Sequence, residues 1–490
     1  MSTFDPGRLV MVDIPGQSLD AETANFLREQ KIRSVCLFRK NIGSESEVRA
    51  LMRDLIEVLG PEALIGIDQE GGAVVRVTFL PQPPSAMALG ASGDADRSEA
   101  VGAAVARGLK SLGINWNFAP VLDVNNNPSN PVIGERSFSN DPVEVSRLAA
   151  AWMRGSLAAG VACCVKHFPG HGDTHVDSHH ALPTVDKSRA ELDALELVPF
   201  KALASQAPAM MTAHIVYPQI DPDRPATLSP QLIDGILRQD WGYDGVVITD
   251  ALMMKAVAER FGYAKSAVMA IEAGADMVLA QGSLAEQLVA INALRDAFAS
   301  GQLTPAQGDT ANRRLDTLAA AYPARAVDDA AARAADHTLM AEAWAAGLTA
   351  LRGAKPPALN APIRVIVQGD VPTDMVSEAG PTGRHAVALF DGFTDAQVQM
   401  VDDIAQLDWT TVPKDGRINV LVSTRRARYG LAASEWRPDL HLSLWNPYQA
   451  LDVAGPTVLT WGFAPGALAG LKAWLEGRSE AAGRAPQGLK

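Results

Sequence analysis

A (β/α)8 barrel of the TIM type followed by a smaller C-terminal α/β sandwich is the fold this sequence predicts, on three observations. Short apolar runs alternate with amphipathic helical stretches between Leu9 and Ala320, the pattern of βα units. Charged or histidine side chains stand just past five of those runs, at Asp68, Asp123, Lys166, His214 and Asp250; in such barrels that rim carries the chemistry. After a break at Lys355-Pro356-Pro357 a second, shorter alternation begins.

The expected barrel strands are Leu9–Val12, Ser34–Phe38, Ala63–Ile67, Ile114–Phe118, Val161–Val165, Ala209–Thr212, Gly245–Thr249 and Ala275–Leu279. Helical periodicity lies between them over Glu45–Leu59, Arg97–Leu112, Pro142–Ala158, Ser188–Ser205, Pro230–Asp240 and Tyr263–Ala273, and continues through Leu284–Ser300 and Pro305–Ala320. Residues Pro323 to Asp336 read as a linker with a partial helix, followed by a helix near Thr338–Leu351. The second unit is expected to have strands at Arg364–Val367, Ala386–Phe390, Asn419–Ser423, His441–Leu444 and Thr457–Thr460, with helices near Asp395–Ala405 and Pro465–Glu476. The division expected is a catalytic barrel over 1–325, a linker over 326–340, the sandwich over 341–480 and a tail over 481–490, with fraying from Gly477 onward.

At 490 residues the chain exceeds one ordinary core. A formal net charge of −13 disfavours a nucleic-acid partner, which would need a basic face. No apolar run is long enough to span a membrane, and Met1 to Gly16 lacks the pattern of a secretory leader. The three cysteines, Cys36, Cys163 and Cys164, sit in apolar runs and fit buried thiols in a reducing compartment, so cytoplasmic residence is expected. No cofactor is called for, and no protein partner can be inferred.

Most of the chemistry is concentrated in Lys166-His-Phe-Pro-Gly-His-Gly-Asp-Thr-His-Val-Asp-Ser-His-His180, which holds five of the nine histidines. Pro169, Gly170 and Gly172 forbid a helix there. The four-residue spacing of His167, His171, His175 and His179 therefore does not make a helical metal face, and no metal is expected. Asp177 and His179 stand two apart in a loop, where a carboxylate orients an imidazole as general acid/base. Asp250, at the mouth of Gly245-Val-Val-Ile-Thr-Asp250, reads equally as a nucleophile or as the N-cap of the next helix. Asp68 and Arg76 bracket the turn Gln69-Glu-Gly-Gly72; Asp68 suits paired hydroxyls, and Arg76, Arg136 and Lys166 offer donors to oxygen ligands.

Taken together, Ile67-Asp-Gln-Glu-Gly-Gly72 with Arg76, Gly134-Glu-Arg-Ser-Phe138, Lys166-His-Phe-Pro-Gly-His-Gly172, Asp177-Ser-His179, Met211-Thr-Ala-His214 and Ile248-Thr-Asp-Ala-Leu252 resemble family 3 glycoside hydrolases of the NagZ-like β-N-acetylglucosaminidase branch. The resemblance covers about residues 8–320, and the later domain is similar to that of two-domain members. It implies a retaining β-N-acetylhexosaminidase that releases terminal N-acetylglucosamine from muropeptides or related oligosaccharides. It further implies Asp250 as nucleophile, His179 and Asp177 as acid/base pair, and Asp68, Arg76, Arg136, Lys166, His167 and His214 as sugar-binding residues. Alternatives are a phosphorylase on the same scaffold, a metal-dependent barrel hydrolase and a non-catalytic sugar-binding module.

Overall fold

The computed structural model describes residues 4–177, 182–371 and 383–489. Eight parallel strands close into a barrel: β1 (Val10–Asp13), β2 (Ser34–Leu37), β3 (Leu64–Ile67), β4 (Trp116–Asn117), β5 (Ala162–Phe168), β6 (Ala209–Thr212), β7 (Val246–Ala251) and β8 (Met277–Ala280). They neighbour one another in chain order, and β8 pairs with β1 through Val10–Val278 and Met11–Leu279. All eight apolar runs thus become strands. Strands covered by helices outside and by side chains inside are apolar at almost every position, and that continuity made them readable.

Two strands run further than expected, with functional consequence. β5 continues through Phe168, buried at all seven positions, so Lys166 and His167 are strand residues and not the start of a loop. β7 continues through Ala251, so Asp250 lies within a strand. The next helix, Lys255–Phe261, has Met254 at its N-cap. The reading of Asp250 as that cap is thereby corrected.

Helices Glu45–Leu59, Pro142–Ala159, Leu284–Ser300 and Pro305–Ala321 follow the periodicity closely. The single helix expected over Ser188–Ser205 is two, Arg189–Ala194 and Leu197–Leu203. Pro199 has no N–H to give the carbonyl four residues back, at Leu195, so the helix breaks there.

The second unit is a six-stranded sheet of β9 (Thr349–Leu351), β10 (Ile363–Gln368), β11 (Ala396–Val401), β12 (Ile418–Ser423), β13 (Leu440–Ser443) and β14 (Thr457–Leu459). Its order is β9-β14-β13-β12-β10-β11, parallel except for β9. Three expectations fail here. Ala386–Phe390 is helical, within Gly383–Val387 and Ala388–Phe390; short apolar runs do not distinguish the two states. The helix expected near Asp395–Ala405 is instead the edge strand β11, paired with β10 at all six positions. Its Gln-Val-Gln-Met alternation carried the strand period, hidden beneath good helix formers. The helix expected over Thr338–Leu351 runs from Ala330 to Gly347 and then gives way to β9, so residues 330–340 are helix rather than linker.

That helix joins the two units. Trp344 donates from Nε1 to the Gln82 carbonyl at 3.2 Å, and Gly347 lies so close to Ala88 that a Cβ would meet its carbonyl oxygen at 2.7 Å. One apolar cluster mixes Met87, Ala88 and Ala91 of the barrel with Trp344, Tyr448 and Trp461. The tail is not frayed: Arg484 N–H donates to the Ala91 carbonyl at 2.8 Å and Leu489 is buried. No helix among the described residues is long and apolar enough to cross a membrane. The three cysteines are free and buried.

Candidate functional site

A cavity of about 410 Å³ opens at the C-terminal end of the barrel strands. Asp68 enters it just past β3, Lys166 and His167 from β5, and Asp250 from β7. Arg76 and Arg136 reach the same wall from longer loops, and Val74, Phe118, Val132, Met211 and Met253 supply apolar surface. Tight turns place the polar groups. Gly71, at φ +125°, lies where a Cβ would meet the Pro84 carbonyl at 2.2 Å. At Gly172 a Cβ would meet the Val124 carbonyl at 1.7 Å, so the histidine loop can press against the loop after β4 only with glycine there.

The floor is one ion network. Lys166 Nζ lies 2.6 Å from Asp68 Oδ1 and 2.6 Å from Glu70 Oε1. Arg136 grips Glu70 with both arms, Nε to Oε2 and Nη2 to Oε1, each at 2.8 Å. Arg76 Nη2 lies 3.4 Å from Asp68 Oδ2. Burial pushes the Glu70 and Asp68 carboxyls up, but the neighbouring cations outweigh it and hold both below the ordinary carboxylate value. Burial likewise disfavours the Lys166 ammonium, and Asp68 and Glu70 reverse that, so its pKa is raised. All three groups are charged at neutral pH.

Asp123, just past β4, organises the histidines. Its Oδ2 lies 2.7 Å from His167 Nδ1, and its Oδ1 accepts the His171 backbone N–H at 2.6 Å. With the Nδ1 proton given to Asp123, His167 Nε2 is left to accept from Arg136 Nη2, 3.4 Å away. Burial pushes the His171 pKa down to about 4, so this ring is neutral at pH 7; its Nδ1 lies 2.8 Å from Thr174 Oγ1. Among the described residues no group of three or more His, Cys, Asp or Glu is arranged to hold a metal ion.

Asp250 Oδ1 accepts the Ala251 N–H at 2.7 Å. Asp177 lines a separate cleft, between the loop at 128–135 and the second domain, and not the sugar cavity. His179 lies outside the described residues. His214, expected to bind sugar, is buried behind the cavity wall. Its Nδ1 lies 2.8 Å from Thr227 Oγ1 and its Nε2 3.0 Å from the Ala251 carbonyl, so it braces the strand end that carries Asp250.

Several site residues escaped sequence reasoning. Glu70 sits between two residues that were singled out, yet its role emerges only once Arg136, 66 positions away, is folded against it. Asp123 was visible as a strand-end carboxylate, but nothing local paired it with His167. The second domain also reaches the site loop. Trp445 Nε1 donates to Glu135 at 2.9 Å, Tyr448 OH accepts from Asn125 Nδ2 at 2.7 Å, and Arg426 Nη2 donates to the Val132 carbonyl at 2.5 Å. That carbonyl also accepts from Arg136 Nη1 at 3.1 Å.

Comparison with known proteins gives a consistent picture. Residues 5–318 match the family model described as the glycosyl hydrolase family 3 N terminal domain. A beta-hexosaminidase from Pseudomonas aeruginosa is 39% identical over 290 residues, covering 58% of this chain and 86% of the relative. Beta-hexosaminidase A from Pseudoalteromonas piscicida is 38% identical over 286 residues, covering 54% of this chain; the match spans only 48% of that longer relative. The solved structure of a family 3 beta-N-acetylglucosaminidase from Paenibacillus sp. str. FPU-7 superposes with a TM-score of 0.88 at 32% identity, over 100% of this chain and 99% of that one.

Proposed function

Because the chain belongs to glycosyl hydrolase family 3, we propose that it is a retaining exo-β-N-acetylglucosaminidase that removes terminal N-acetylglucosamine from muropeptides or related oligosaccharides. The observation that carries this reading is the cavity itself. It gathers Asp68, Arg76, Arg136, Lys166, His167 and Asp250 around a volume suited to one sugar ring, at the barrel end where chemistry is done. The relatives named above, a beta-hexosaminidase and a family 3 beta-N-acetylglucosaminidase, support the hexosaminidase part of this reading.

Asp250 attacks the anomeric carbon as the glycosidic bond breaks, giving a glycosyl ester. The leaving oxygen takes a proton from His179, whose imidazolium Asp177 stabilises. A water then gives its proton to His179 and its oxygen to the anomeric carbon, and Asp250 leaves as a carboxylate. Two inversions give net retention. Asp68 accepts from sugar hydroxyls, while Arg76, Arg136, Lys166 and His167 hold ring substituents. The preformed ion network spares these groups from reorganising as charge develops. Reduced, buried thiols accord with action in the cytoplasm.

The test compares hydrolysis of aryl β-N-acetylglucosaminide and aryl β-glucoside, with proton NMR of the first-formed sugar. The acetamido sugar should be strongly preferred and its β anomer should appear before mutarotation. Preference for the glucoside, an α first product, or release of sugar 1-phosphate on adding phosphate would each overturn the reading.

A further inference from the structure

Arg136 stands on a segment with little regular structure of its own. Between β4 and the single helical turn Gly134–Arg136 the chain forms no further helix or strand. That turn is of the 3-10 type, closed by the Arg136 N–H to the Ile133 carbonyl at 2.9 Å and the Ser137 N–H to the Gly134 carbonyl at 3.2 Å. With three residues per turn, consecutive side chains point about 120° apart. Arg136 therefore lines the sugar cavity while its neighbour Glu135 reaches the second domain. Glu70 grips the Arg136 guanidinium, but the backbone from which that side chain reaches is set by the turn. Whatever fixes Glu135 fixes the rotation of the turn, and with it the aim of Arg136.

Strands β12 and β13 are parallel neighbours, so the loops that follow them leave the second sheet at one edge. The first loop carries Arg426, the second Trp445 and Tyr448. Trp445 Nε1 donates to Glu135 Oε1 at 2.9 Å, and both residues are 2% exposed or less, so this bond is shielded from water and costly to lose. Arg426 Nη2 donates to the Val132 carbonyl at 2.5 Å, and Arg136 Nη1 donates to the same oxygen at 3.1 Å. Tyr448 OH accepts from Asn125 Nδ2, whose Oδ1 partner atom accepts the Gly134 N–H at 3.2 Å. The two loops are themselves tied together. Asn446 Nδ2 donates to the Arg426 carbonyl at 2.7 Å and its Oδ1 accepts the Tyr448 N–H at 2.9 Å. The Trp445 ring meets Phe463 edge-on, with centroids 5.0 Å apart.

We infer that Trp445 and Arg426 are positioning residues for the sugar site: from the second domain they hold the turn at 132–136 so that Arg136 meets both Glu70 and the bound sugar. The inference rests on the hydrolase reading and adds to it a use for the second domain. Neither residue touches the sugar; each acts through Arg136.

Full-length variants assayed on nitrophenyl and dinitrophenyl β-N-acetylglucosaminides test it. Trp445→Phe keeps the ring and deletes the donor; Arg426→Gln shortens the reach to Val132. Each should lower kcat/KM roughly tenfold, inside the ~100-fold that misplacing a site group by about 1 Å can cost. The Kd for N-acetylglucosamine, measured by calorimetry, should rise in parallel. Arg426→Lys retains a donor and should recover part of the loss. The loss should be the same for both aryl groups, because the grip on the sugar changes and proton delivery does not. In an Arg136→Lys background, Trp445→Phe should cost less than about twofold, since its effect runs through Arg136. Values within about twofold of the parent for both single variants overturn the assignment while the hydrolase reading stands. So does a loss that persists in full beside Arg136→Lys, or one that grows as the leaving group worsens. A parent protein inactive on both aryl substrates overturns the two readings together.

Discussion

Replacing Lys166 by Met should damage the fold before it damages anything else. The ammonium is 2% exposed and touches Asp68 and Glu70 at 2.6 Å each. Methionine matches the stem in shape but strands two buried carboxylates. Removing one partner of such a buried group costs about 3–5 kcal/mol. For a domain of this size 1 kcal/mol moves Tm by about 2 °C, so the Lys166→Met melt should fall by roughly 6–10 °C. Glu70 keeps its two-armed bond to Arg136, so Asp68 bears most of the loss. The Lys166→Met/Asp68→Asn double variant should therefore recover about half of the lost Tm. The pH dependence has a defined sign. Asp68 and Glu70 have folded pKa values below their ordinary ones. Their stabilisation is present above the ordinary carboxylate pKa of about 4 and is lost as pH falls through the lower folded values. Lys166→Met should flatten that acid limb. Calorimetry from pH 7 down to about 3 checks both claims. A Lys166→Met melt within about 2 °C of the parent, or no recovery on adding Asp68→Asn, would refute the network argument.

Three further outcomes follow from the site. Asp250→Asn retains an acceptor for the Ala251 N–H and should fold normally, while kcat falls by several orders of magnitude for want of a nucleophile; near-parental turnover would end that assignment. His179→Ala and Asp177→Ala should impair sugar leaving groups far more than dinitrophenyl ones and should reveal a burst as deglycosylation slows; equal loss on every substrate with no burst argues for a purely structural pair. His171 is buried and neutral, with a pKa near 4 against 6.5 unfolded, so its contribution to stability should be complete above 6.5 and lost as pH falls through about 4; His171→Gln should remove that sensitivity, and an unchanged profile counts against it.

The barrel was legible because its strands are buried on both faces and so nearly uniformly apolar. The rim residues were legible as polar interruptions of that rule. The same rule misjudged His214, whose ring turns inward to Thr227 and the Ala251 carbonyl while Asp250 lines the cavity. The edge strand Ala396–Val401 was missed because its alternation is short, lies among good helix formers and has no fully buried face to set it off. The reach of Trp445 to Glu135 crosses 310 positions of chain. No local pattern encodes such a contact; it exists only once the two units are docked.

That docking has a thermodynamic side. Trp461 and Tyr448 cover Met87 and Ala88 in one cluster, and Ser85 Oγ donates to the Trp461 carbonyl at 2.7 Å. Lifting the sheet domain away would wet the barrel helix Ala86–Ser92, whose Met87, Ala88 and Ala91 belong to that cluster. The two units therefore share part of a single opening event. Amides in β14 should exchange with solvent no faster than those around Ala88, and a ligand seated only in the barrel cavity should slow both together, so that hydrogen exchange at the distant sheet reports occupancy of the sugar site.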